Sequence, residues 1–308
     1  IRESSDLDGK GPFKMSPLTQ PPLRAEDWLQ RSACHRSRAL AWTQPTRDRR
    51  ARGEKHPVHD FLHTYYRLSL GQLERWHPGI GVDLEDCSEA RQMFRQPHYR
   101  FEEGTCSVDP ARLTPKARTR LKFSLQILQS TAKRPPNFAC HGLHEWAMLY
   151  DGAEVRHGET VPLRLPRKEI DAVVHSRPLS CSHFDAFRFF APGAKELNRL
   201  QPDLQAREQN EQPGCIHANM DLYKWAAKSL PWISSDLLWS CFRLATKARE
   251  IDMRASPYDL TGFGYDPIKV EMTEGRRLYE TLQRALADEA KALRESLILQ
   301  LTKTLTTN

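Results

Sequence analysis

Apolar positions along this chain recur mainly at helical spacing. In residues 57–76, Val58, Phe61, Leu62, Tyr65, Leu68 and Leu73 fall three to four apart, and Pro78-Gly79 ends the run. Thr114 is placed to cap a helix whose first position is Pro115; Leu121, Leu125 and Leu128 line it, and Arg134-Pro135-Pro136 stops it. A short helix is expected over residues 143–150, closed by Asp151-Gly152. After Pro213-Gly214, residues 216–228 read as helix, and Ser234 or Ser235 caps another that runs to about Ile251. Near the C-terminus, Leu278, Leu282, Leu286, Leu293, Leu297 and Leu301 share one helical face.

Other stretches break this period. Residues 80–110 read as loop. Residues 155–165 and 170–175 combine β-branched residues with turn punctuation and predict short strands. The aromatic run 181–190 fits a strand or a helix. Residues 1–27 have no period and read as an extended arm. The expected fold is mainly α, with a small central β element. Residues 1–55 are expected to form an extended basic arm, and residues 56–308 a single, mainly helical domain.

Composition narrows the classes. Of the 308 residues 39% are hydrophobic, and seven Trp, eight Tyr and twelve Phe suffice for a core, which excludes wholesale disorder. No apolar run approaches the ~20 residues of a membrane-spanning helix. The chain begins at Ile1 rather than Met, as a processed precursor would, and shows no signal-peptide pattern. The net charge is +7. Between Arg31 and Lys55 eight basic side chains face only Asp48 and Glu54, so that segment carries nearly all of the excess. It reads as a solvated basic patch or as a contact for an anionic partner such as nucleic acid. The seven cysteines are widely spaced, with no CxxC, so neither a disulfide framework nor a zinc ribbon is expected. Buried thiols in a reducing compartment are expected instead, in the cytoplasm or an organelle interior such as the plastid stroma, and not secretion.

The chemistry gathers around histidine. His59 and His63 are one helical turn apart; His141 and His144 are at i and i+3, followed by Glu145. His183 and Asp185 alternate, so they share a face if extended, while His217 and Asp221 are at i and i+4. Asp252, Arg254, Ser256 and Tyr258 place a carboxylate, a guanidinium, a hydroxyl and a phenol together. The order His183-x-Asp185, His217, Arg254-x-Ser256 resembles the facial triad and anion clamp of iron and 2-oxoglutarate oxygenases, although Arg254 lies farther from His217 than in that family. No GxGxxG after a strand, GxxxxGK[ST], HExxH or GxSxG is present.

Longer strings carry a second resemblance. They are His56-Pro57-Val58-His59-Asp60-Phe61-Leu62, Trp76-His77-Pro78-Gly79, Gly142-Leu143-His144-Glu145-Trp146-Ala147-Met148, the run Cys181 to Phe190, the run Pro213 to Trp225, and Asp252 to Leu260. Over roughly residues 50–295 the chain resembles a family of bacterial and plastid-lineage proteins labelled 3-methyladenine DNA glycosylase. The resemblance implies hydrolysis of the N-glycosidic bond of an alkylated base flipped into an aromatic pocket. Asp221 or Asp252 would then stabilise positive charge on the sugar, and Trp146 or Trp225 would stack on the base. The Gly-rich helix–hairpin–helix of established glycosylases is absent.

Three functional expectations follow. The first is an enzyme in which His144, His183, Asp185 and His217 ligate a divalent metal, iron or zinc, or shuttle protons. Glu145, Asp221, Asp252 and Tyr258 join the site, Trp146 and Trp225 border it, and Arg254 clamps an anionic group of a small or medium aromatic-compatible substrate. The second is the glycosylase, with segment 31–55 on phosphates. The third is a non-catalytic subunit binding a tetrapyrrole or another flat ligand.

Overall fold

In the computed structural model, which describes residues 21–66, 68–154 and 161–307, one helix has no solvent face: every residue from Ile216 to Ala227 is buried. The other elements are arranged around it. In chain order they are α1 (Ala25–Ala51), α2 (Phe61–Tyr65), α3 (Leu70–Glu74), β1 (Leu84–Glu85), α4 (Ser88–Met93), β2 (Tyr99–Glu102), β3 (Thr105–Val108), α5 (Pro115–Ala132), α6 (Leu143–Ala147), α7 (Arg167–His175), α8 (Phe184–Phe187), α9 (Pro192–Leu197), α10 (Arg207–Asn210), α11 (Ile216–Lys228), α12 (Ser235–Arg254) and α13 (Thr273–Thr306). The fold is mainly α with one small antiparallel sheet, ordered β1-β3-β2. Among the described residues no helix is long and apolar enough to cross a membrane.

The central helix packs against α12, α13 and α5. Its starting point is set by Cys215 in extended backbone, and α12 starts where the Ser234 hydroxyl accepts from the Leu237 N–H. Thr114 caps α5 on the Ala117 N–H, with Pro115 in the first turn. Leu286, Leu297 and Leu301 of α13 point into the main core; Leu278, on the same expected face, is exposed. Two apolar clusters result. The larger gathers α1, α5, α11, α12, α13 and the sheet; the smaller surrounds α6 to α9 and includes Trp146, Phe187, Phe190 and Tyr258.

Several expectations give way. Residues 25–51 are a 27-residue helix packed on the core rather than extended chain. Its buried positions are Trp28, Ser32, His35, Ala39, Thr43 and Thr46, spaced helically but mostly small or polar, so no apolar stripe announces them. Their polar atoms are satisfied: His35 Nε2 lies 2.8 Å from the Leu73 carbonyl, and Thr46 Oγ1 donates to Asp60 at 3.1 Å. Residues 1–20 lie outside the described residues.

The basic patch is also less free than its sequence suggests. Arg38 pairs with Asp236, Arg47 with Glu74 and Arg49 with Asp60, so acids from other segments neutralise three of its eight basic side chains, while Arg52 pairs with Glu54 of the same segment. The β element lies in residues 84–108, expected to be loop, and not in the later stretch. Residues 170–175 belong to α7, because Ile170 and Val174, four apart, bury one helical face. Of the other expected strand, 155–160 lies outside the described residues and Leu163 makes only an isolated bridge to Tyr258. The run 57–76 is broken into α2 and α3, the second begun by a capping box at Ser69 and Gln72.

If α1 is part of the core, Trp28→Ala removes a fully buried indole stacked against Trp76 and costs ~3–5 kcal/mol, read as a lower denaturation midpoint in urea. An unchanged midpoint would mean that α1 is a detachable arm.

Candidate functional site: a buried histidine–carboxylate seam

Where the two apolar clusters meet, charged side chains from both sides are buried together. α6 enters this seam through Gly142, whose φ of 76° favours glycine and where a β-carbon would crowd Ala255 Cβ at 3.1 Å. The helix then turns His144 and Glu145 toward α12. On α12, Arg249 and Asp252 are three apart and share a face. On α11, His217, Asp221 and Lys224 share one face at i, i+4 and i+7. The segment before α8 is fixed by Asn198, which accepts from the Cys181 N–H at 2.8 Å and donates to its carbonyl at 2.9 Å; this sets Cys181 and His183 in place.

Three imidazoles stand in series. The His217 ring is 4.5 Å from that of His144 and 5.5 Å from that of His183. His144 Nε2 is 2.6 Å from Asp252 Oδ1, and its Nδ1 is 3.4 Å from Cys140 Sγ. The other Asp252 oxygen accepts from Arg249 at 3.0 Å, and the same Arg249 nitrogen reaches Glu145 at 3.0 Å. On the far side, His183 Nε2 is 3.3 Å from Asp221 and 3.5 Å from Glu211. Asp221 also accepts from Tyr66 Oη at 2.7 Å, from Arg207 at 3.1 Å and from Lys224. Arg207 bridges on to Asp185 at 3.1 Å and Glu211 at 2.7 Å.

These contacts push neighbouring groups apart in proton affinity. Burial works against a charge on His144, but Asp252 and Cys140 outweigh it and hold the imidazole pKa well above its usual value. Burial, reinforced by His144, lowers His217 to about 3, so its ring is neutral at pH 7. Burial raises Asp252 and Asp221, yet His144 for the first, and Lys224, His183 and Arg207 for the second, keep both carboxyls below the ordinary range. The neighbouring Cys181 and His144 lower the Cys140 thiol well below its ordinary range in spite of its burial.

The seam thus gathers His144, His183, His217, Asp185, Asp221, Asp252 and Glu145 from the sequence candidates. Arg254 is not among them: it turns outward to the Asp266 carbonyl at 2.9 Å and Glu250 at 3.1 Å. Tyr258 is buried in the smaller apolar cluster. Trp146 donates its indole N–H to the Ala255 carbonyl at 2.9 Å, and Trp225 is buried with Arg207, Lys224 and Lys228 around its ring. His59 bonds Tyr265 Oη at 2.9 Å, and His63 lies against Phe242.

Cys140, Cys181, Lys224, Arg207, Glu211 and Arg249 were not singled out from sequence. One signal was there: each of the three imidazoles follows a cysteine, in Cys140-x-x-x-His144, Cys181-x-His183 and Cys215-x-His217. These three thiols, with His144, His217, Tyr279 and Gln283, line a cavity of about 10 Å³, at the lower limit for one water. Donor atoms of His144, His217 and Asp252 lie within 4.8 Å of one another, as do those of His183, Asp185 and Asp221. In the second group Lys224 and Arg207 occupy the place beside the carboxylates, and in the first both ring nitrogens of His144 have protein partners. The chain matches no protein-family model, no curated protein and no solved structure.

The buried imidazoles set a pH optimum for stability. His63, His77 and His217 are lowered to about 4, 3 and 3 by burial, below the ~6.5 of an unfolded chain. Below that pH the unfolded chain takes protons the fold refuses, so each costs about 1.4 kcal/mol per pH unit as pH falls. His144 acts oppositely: its raised pKa stabilises the fold below ~6.5, and that gain is lost as pH rises through the folded value. Between ~6.5 and ~8.5 the lowered Cys140 offsets His144, because the unfolded chain then carries a proton on the thiol instead of on the imidazole, and above that range the raised Cys181 and Cys215 thiols cost stability. Urea midpoints measured from pH 5 to 9 are therefore expected to be highest between about 6.5 and 8.5, and a His63→Gln variant to lose part of the acid-side slope. A midpoint that rises steadily toward pH 5 would contradict these assignments.

Proposed function

We propose that this protein is an enzyme that moves protons on a small substrate, with His217 as base and His144 as acid. One observation carries this reading: two imidazoles 4.5 Å apart, facing one cavity, are driven to opposite protonation states. An acid and a base whose surroundings separate their affinities are the usual division of labour in acid–base catalysis. His217 makes no side-chain hydrogen bond among the described residues, so a nitrogen lone pair is available to accept a proton. His144 holds its proton through Asp252, and Arg249 and Glu145 fix Asp252 in turn.

The cavity is bordered by thiols, imidazoles, a phenol and amides rather than by Trp146 or Trp225, and at about 10 Å³ it takes only the small reacting end of a polar substrate and not a flat aromatic ring. It has room for about one water, so charge in it is weakly screened.

The test is incubation of a polar metabolite extract with the protein and with His217→Gln, followed by mass spectrometry, with circular dichroism to verify folding. At least one compound is expected to be consumed by the parent and ~100-fold more slowly by the variant. No consumption, or equal consumption, contradicts the reading. Stoichiometric iron or zinc in the purified protein would replace it with a metal-assisted mechanism, and release of 3-methyladenine from alkylated duplex DNA would replace it with the glycosylase that the resemblance implies.

A further inference from the structure

We propose that Cys140 is a nucleophilic sulfur that reduces a small hydroperoxide in the cavity, and that Cys181 then closes a disulfide onto it. Three observations on the page converge on this. The first is a thiol–imidazole–carboxylate line: Cys140 Sγ is 3.4 Å from His144 Nδ1, and His144 Nε2 is 2.6 Å from Asp252. This arrangement sets a sulfur beside a protonated imidazole that a carboxylate orients, which favours the thiolate as nucleophile. The second is a partner thiol: Cys181 lines the same cavity as Cys140, so a second sulfur faces the space in which the first would react. The third points to a ligand. Tyr279 Oη and Gln283 Oε1, on residues that line the cavity and are almost fully buried, have no hydrogen-bond partner among the described residues. A phenol that can donate and an amide oxygen that can accept suit a molecule carrying both a hydroxyl proton and oxygen lone pairs, and the volume limits it to little more than water.

A second pocket is lined by the sequence neighbours of the same residues. The loop residues flanking Cys140, namely Ala139 and His141, line an outer polar pocket of about 360 Å³ together with Glu280 and Arg284. The adjoining α13 residues Tyr279 and Gln283 line the inner cavity. Cys140 therefore sits in a thin partition between the two spaces.

The chemistry balances as follows. The Cys140 thiolate attacks the terminal oxygen of R–O–O–H, a sulfur–oxygen bond forms, and the O–O bond breaks. The leaving alkoxide takes the Nδ1 proton of His144, giving R–OH and a sulfenic acid on Cys140. Cys181 sulfur then attacks the Cys140 sulfur; hydroxide leaves with the Cys181 proton as water, and the disulfide forms. The two thiols lose two electrons and the peroxide gains them.

This inference rests on the same His144–Asp252 pair as the proposed function, but its readout is a mass and needs no metabolite turnover. Reduced full-length protein is treated with one equivalent of hydrogen peroxide at pH 7 and mapped by peptide mass spectrometry. The expected product has lost two hydrogens and carries a Cys140–Cys181 crosslink. It is expected to form about 30-fold faster than oxidation of a thiol of ordinary pKa, which is only a few per cent ionised at this pH. A Cys181→Ser variant is expected to stop at a sulfenic acid on Cys140 that dimedone traps, and a variant of the exposed Cys34, Cys34→Ser, to crosslink as the parent does. A crosslink through Cys215 or Cys34, a Cys140→Ser variant oxidised as fast as the parent, or dimedone labelling elsewhere overturns the proposal. A crosslink without any metabolite consumption removes the acid–base reading and leaves this one standing.

Discussion

The contact on which the site depends is the one between His144 and Asp252, at 2.6 Å and with neither side chain reaching solvent. Two such groups are costly to bury singly; together, with Arg249 on the second carboxylate oxygen, they are tolerable because every charge has an opposite within hydrogen-bond distance. That pairing ties α6 to α12 and turns the outer nitrogen of His144 toward Cys140. It also places a positive neighbour beside His217, which together with burial keeps that ring neutral. The asymmetry between the two imidazoles is a consequence of where one aspartate sits.

The second half of the seam follows the same logic with different residues. Asp221 would be untenable in the interior without Lys224, Arg207 and the Tyr66 hydroxyl, and Arg207 would be equally costly without Asp185 and Glu211. A network of this kind seldom adds stability over a well-packed apolar replacement. Its presence between two apolar clusters, in a chain only 39% hydrophobic, is what makes a functional reading of the seam reasonable.

Much of the helical frame was legible in the sequence, because its signals are local. Thr114-Pro115 and Ser234 fix helix starts by their own backbone geometry, and the bounds of α11 follow from Pro213-Gly214 before it and the apolar period within it. What failed depends on partners distant in sequence. The buried stripe of α1 is Ser, His, Ala and Thr, which become core residues only because Leu73, Glu74 and Asp60 satisfy them. The strands near Tyr99 and Thr105 are four residues each and β1 only two, too short for alternation to register, and Ile170 and Val174 are β-branched yet helical.

For the site, the imidazoles and Asp185, Asp221 and Asp252 were visible as local pairs, and the structure does bring them together. Their cationic partners were not, since Arg207, Lys224 and Arg249 look like ordinary surface residues until the fold buries them. Arg254 was misplaced for the converse reason: it is near Asp252 in sequence but is the last residue of α12, and its guanidinium leaves the seam for the Asp266 carbonyl. The most direct measurement is the protonation of the two central imidazoles, read from ¹⁵N shifts of histidine-labelled protein between pH 5 and 8.5, with His217→Gln for assignment. At pH 7 His217 should be a neutral ring and His144 a doubly protonated one; two rings titrating together near pH 6.5 would contradict the account.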